Sequence, residues 1–157
     1  MACLKALQKL TDSNYRLAAI ETVDSSRIIE MFKRFNMETG CAVYDWNDDH
    51  GLSRLGFEHI FIPKTKSAKE IATYILNARH FGIYLLNGFD DYMDEGEIEE
   101  LLAKITLKND GIRRLVVIID SQVGFSERLR TMSVKIQHTV PAQKPQTKVT
   151  TAAVING

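Results

Sequence analysis

Residues 113–120 read RRLVVIID and residues 82–89 read GIYLLNGF. Both are short runs of almost unbroken apolar character. A strand with one wet face alternates apolar and polar residues, whereas a continuous run suits a parallel strand covered on both faces. Between the two lies EGEIEELLAKITLK (residues 95–108), with apolar positions at helical spacing and acids in its first turn, where the helix dipole favours them. Strand, helix and second buried strand make a βαβ unit, which commits the chain to an α/β fold.

The same alternation extends both ways. Upstream, SAKEIATYILNARHF (67–81) is a helix capped by Ser67, with Ala68, Ile71, Ile75 and Ala78 or Leu76 facing inward. GCAVYDW (40–46) and YRLAAIET (15–22) read as strands, and SSRIIEMFKRF (25–35) between them is a helix capped by Asp24 or Ser25. A helix over Ala2–Leu10 precedes them. Residues 47–66, with two glycines and a proline, read as a long connection with room for a short strand at His59–Ile62. Downstream, FSERLRTMS (125–133) is a short helix capped by Ser126, and VKIQHTV (134–140) is a last strand. The expected architecture is a three-layer sandwich around a mostly parallel sheet of about five strands, filling residues 1–140. Residues 141–157 carry prolines and threonines without apolar periodicity, and read as a flexible or partner-docked tail.

Twenty basic residues balance twenty acidic ones, which removes the field that drives non-specific nucleic-acid binding. The apolar runs are too short for a membrane span, and the amphipathic start is no signal peptide. Two widely separated cysteines, Cys3 and Cys41, fit reduced thiols in a cytoplasm. No nucleic acid, membrane or cofactor is expected.

In such a sheet, functional loops lie at the carboxyl ends of the strands. A phosphate loop needs glycines, then Lys and Ser or Thr, but the first strand runs into ETVDSS. The glycine pair in GLSRLGFE (51–58) ends on Phe57 and Glu58 where Lys and Ser or Thr are required. Asp45, Asp90, Asp91 and Asp120 stand at strand ends and form a candidate nucleotide or Mg²⁺ set. The competing reading is that such acids cap helices and close turns. A phospho-acceptor pocket of the receiver type would need paired acids after the first strand and a late lysine. Glu21 and Asp24 are spaced too loosely, and no lysine is read after Asp120 to fill the late position. His50, beside Asp48 and Asp49, is a further candidate proton acceptor, more simply a loop histidine.

The segments YRLAAIETVDSSRIIEMFKRF, CAVYDWNDDHGLSRL, IYLLNGFDDYMDEGEIEELLAKI and RRLVVIIDSQVGFSERLRTMSVKI together resemble the N-terminal region of a group of bacterial and plastid AAA+ ATPases. The resemblance covers Tyr15 to Val140, with YDW…GL and IYLL.GF its most specific parts. It implies a degenerate nucleoside-triphosphatase-like, Rossmann-type fold that has lost its phosphate loop and normally precedes an ATPase module. IYLLNGFDD then stands where a Walker B strand would, with Asn87 and Gly88 in place of the acid pair. Asp90 and Asp91 follow Phe89, too late to reach a metal from the strand end. No ATPase module follows before Gly157, so a stand-alone accessory domain of bacterial or phage origin is expected. The expected function is a non-enzymatic protein-interaction or assembly domain, self-associating through tail residues Val149, Val154 and Ile155. The alternative is a small regulatory domain that binds nucleotide or Mg²⁺.

Overall fold

The computed structural model describes residues 2–139 and 153–156. The elements follow as α1 (Ala2–Asp12), β1 (Leu17–Glu21), α2 (Ser25–Thr39), β2 (Val43–Asn47), β3 (Gly51–Arg54), β4 (Phe61–Ile62) and α3 (Ala68–Asn77). Then come β5 (Gly82–Asn87), a 3-10 turn (Phe89–Tyr92), α4 (Gly96–Leu107), β6 (Arg114–Asp120), α5 (Glu127–Arg130), β7 (Val134–Thr139) and β8 (Ala153–Asn156).

Among the described residues the sheet has eight strands, ordered β4-β3-β2-β5-β6-β1-β7-β8. The six from β2 to β8 in that order are parallel, and β3 and β4 add an antiparallel hairpin at the β2 edge. The chain leaves β1 toward β2, then returns through β5 and β6 and passes β1 to reach β7. Crossovers of this kind are right-handed, so reversing direction moves the helices to the other face. Accordingly α1 and α2 cover one face, packing on Ala18, Ile20, Val117 and Ile119. Helices α3, α4 and α5 cover the other, packing on Ala19, Leu86, Val116 and Ile118.

The apolar runs are buried as their composition demands. Ile83, Leu85, Val116, Val117 and Ile118 are all fully buried, and Leu85 pairs with Val117 in neighbouring strands. Helix α2 buries Ile28, Met31, Phe32 and Phe35 on one face, each worth roughly 1.5–3 kcal/mol of transfer free energy. Asp24 caps it, accepting from the Arg27 amide. Ser67 and Glu70 form a reciprocal capping box on α3, and Ser126 caps α5. The paired arginines at the start of β6 pin the amino ends of the strands. Arg113 donates to the carbonyls of Thr11 in the last turn of α1 (3.0 Å) and of Tyr15 beyond it (2.5 Å). Arg114 is buried, makes a two-pronged pair with Asp110 (2.9 and 2.8 Å) and donates to the Ala78 carbonyl.

Three features differ from the sequence reading. The sheet is wider than five strands. Strand β3 falls in a stretch read as loop, and the short strand expected at His59–Ile62 narrows to Phe61–Ile62. The tail contributes β8, Ala153–Asn156, which runs parallel to β7 with Val154 opposite Gln137 and Ile155 opposite His138. Parallel pairing needs a connection long enough to cross back, and residues 140–152 supply that length. Val149 lies outside the described residues.

Candidate functional site

Loops leaving the carboxyl ends of β1 and β6 turn toward opposite faces of the sheet. That divergence opens the crevice where doubly wound sheets bind ligands. Glu21, Thr22 and Asp24 follow β1 on one side, and Asp120 with residues 121–124 follows β6 on the other.

The protein's own donors fill this crevice. Glu21 accepts the Val123 amide (2.9 Å), pairs with Lys135 (3.3 Å) and accepts from Gln137 Nε2 (3.3 Å). Lys135 Nζ also donates to the Val123 carbonyl (2.8 Å). Asp90, in the 3-10 turn after β5, accepts the Gly124 amide (2.8 Å). Asp120 accepts the amide of Ser121 through its side chain (2.8 Å) and that of Thr22 through its carbonyl (2.9 Å). The loop after β6 is thus strapped across the crevice by carboxylates from β1 and from the turn after β5.

The β1–α2 turn is closed in the same manner. Thr22 Oγ1 accepts the Asp24 amide (2.9 Å) and lies 2.8 Å from Nδ1 of the buried His138. Burial holds His138 below its ordinary pKa, so the ring is neutral at neutral pH. At the start of α2, where a phosphate loop would present free amides to an anion, the Asp24 carboxylate accepts the Arg27 amide instead.

The four acids singled out in sequence do not share one centre. Asp120 and Asp90 flank the strap. Asp91 is exposed in the turn. Asp45 lies within β2, not beyond its end, and senses Lys33 of α2 and Glu58. Among the described residues, no three His, Cys, Asp or Glu side chains come together as metal ligands. His50 is a turn residue whose amide donates to Asn47 Oδ1 (3.0 Å) and whose ring stacks on Phe61 at 5.1 Å.

Asp45 nonetheless titrates unusually. Desolvation pushes its carboxyl up to about 6 from the ordinary 3.8, with Lys33 opposing and Glu58 adding to the shift. A carboxyl with a raised folded pKa binds more protons folded than unfolded between pH 4 and 6, so its contribution to stability falls as pH rises through that window. Asp45→Asn should therefore stabilise the domain more at pH 7.5 than at pH 4.5, by about 2 kcal/mol. Urea unfolding at the two pH values measures this, and an equal effect at both would contradict the burial of a charged Asp45.

Two functional features escaped the sequence reading. Lys135 of β7 sets a lysine against Glu21 at the end of β1, which corrects the reading that no lysine follows Asp120. The β3–β4 hairpin exposes Phe57, Ile60 and Phe61, each about half accessible, at the edge of the sheet. The spacing of apolar residues in FEHIFI (57–62) gave no reason to expect them outside.

Compared with known proteins, residues 3–138 match the family model for the SpoVK-like AAA ATPase N-terminal domain. No curated protein and no solved structure matches the chain.

Proposed function

The chain belongs to the family of SpoVK-like AAA ATPase N-terminal domains, and on that premise we propose that it works without catalysis, binding protein and assembling with copies of itself. The observation that carries this reading is the occupied crevice. Where a nucleoside triphosphatase leaves amides and acids open for phosphate and metal, Asp24 caps α2, and Glu21 and Asp90 hold the strap over residues 121–124. A regulatory nucleotide or Mg²⁺ site at these strand ends gains no support from carboxylates already committed to amides.

Protein binding is supported at both edges of the sheet. The hairpin edge carries Phe57, Ile60 and Phe61 in water, and large exposed apolar groups side by side mark interaction surfaces. At the opposite edge, β8 joins β7 through main-chain pairing. The same strand could pair with β7 of a second copy in the same register, and exchange of an identical element is a low-cost route to an oligomer. The half-buried free thiol of Cys41 suits the reducing cytoplasm in which we place this domain. No described helix is long and apolar enough to cross a membrane.

Purified protein given ATP and Mg²⁺ should release no more phosphate than a heat-inactivated control. Release above that control that disappears in Asp120→Ala would overturn the non-catalytic reading.

A further inference from the structure

A groove of about 620 Å³ runs beside α3, between that helix and the turn after β4. It shares no residue with the crevice at the strand ends, and its size falls within the range of small-molecule sites, roughly 300–1,000 Å³. Its wall is aromatic. Tyr44 and Tyr84 stack with ring centres 5.1 Å apart and planes 12° off parallel, and Tyr74 of α3 joins them. The Tyr84 ring fits only because residue 82 is glycine, since a Cβ there would lie 2.7 Å from its hydroxyl.

The Tyr84 side chain is largely buried and lines the groove, and among the described residues none bonds its hydroxyl. Tyr44 and Tyr74 likewise have no hydroxyl partner among the described residues. Burial raises the phenols of Tyr74 and Tyr84 above their ordinary range, so both are protonated donors at neutral pH. The rim is basic. Lys64 and Arg79 line it, and neither lies in a salt bridge among the described residues. Lys69 pairs with Glu97 at 2.9 Å, and Glu70 caps the start of α3 and also senses Lys64. Lys64 is also held at φ +59, a left-handed conformation uncommon outside glycine and typical of ligand clamps.

We propose that this groove binds a small molecule carrying a flat ring and an oxyanion, either phosphate or carboxylate. The tyrosine faces suit the ring. The phenol protons and the rim cations suit the oxyanion, because donors meeting a charged acceptor make the strongest hydrogen bonds.

The test is isothermal titration of the full chain at low ionic strength with AMP and with 4-hydroxybenzoate, which separate phosphate from carboxylate. Adenosine and inorganic phosphate, each lacking one half, serve as comparisons. At least one of the two complete probes should bind one-to-one. Removing a charge-assisted bond should weaken it about tenfold in Arg79→Ala, an exposed position whose variant keeps its melting temperature. Tyr74→Phe should weaken it as well, and the half-molecules should bind at least about tenfold less tightly. The proposal fails if neither complete probe binds up to millimolar concentration. It also fails if the halves bind as tightly as the whole, or if Arg79→Ala and Tyr74→Phe leave binding unchanged.

Discussion

Ile118→Asp should unfold the domain. Ile118 has no accessible surface and sits in β6 between Ala19 of β1 and Leu86 of β5. It belongs to the core under α3, α4 and α5. A carboxylate there has no cation to meet and no water to reach. Either it stays ionised at a prohibitive desolvation cost, or it takes up a proton and still buries a polar group in place of a close-packed side chain. The penalty is several kcal/mol, against a total stability of about 5–15 kcal/mol for a domain. Circular dichroism and solubility of the variant read this directly. Ile118→Val keeps the chemistry and should cost only about 0.5–1.5 kcal/mol. A soluble Ile118→Asp protein with the parent melting temperature would mean that the core lies elsewhere.

Trp46→Ala should cost about 3–5 kcal/mol, the range for truncating a large buried aromatic, and should loosen the hairpin before the rest of the sheet. Trp46 is buried, touches Phe89 and Tyr92 edge-on, and donates from Nε1 to the Thr65 carbonyl (2.7 Å). Thr65 is buried in turn. Its hydroxyl donates to the Ile62 carbonyl (2.6 Å) and accepts the Leu52 amide (2.9 Å), so it ties both strands of the hairpin together. Gly51 passes this node at φ +86, where a Cβ would lie 2.9 Å from Thr65 Oγ1. Removing the indole takes away the anchor that holds Thr65 against β2. Urea unfolding measures the global loss, and limited proteolysis between residues 55 and 64 measures the local one. A variant that loses stability yet resists cleavage there would show that the hairpin does not depend on Trp46.

What the sequence revealed and what it concealed have separate physical causes. The strands β5 and β6 were legible because burial on both faces leaves only apolar residues, as in LVVII. The caps were legible because Asp24, Ser67 and Ser126 act within three residues of themselves. Strand β3 was not, since GLSR carries no strand pattern and owes its place to Thr65 and to pairing with β2. The strap across the crevice was equally hidden. Its donors are the amides of Val123 and Gly124, which any residue but proline would supply, and its acceptors Glu21 and Asp90 lie far off in the chain. Acids at strand ends therefore read as possible metal ligands until the distant amides are placed. For the tail, threonine and valine in KVTTAAVI announce a strand, but strand propensity does not say whose edge receives it.

That last question bears most directly on the role in assembly. Light scattering on the full chain and on a chain stopped after Val140 answers it. Exchange of β8 between copies predicts that the full chain has a mass several times that of one chain and that the shortened chain is a monomer with an intact fold by circular dichroism. If both forms have the same mass, whether one chain or many, the strand stays on its own β7 and self-association through the tail is wrong.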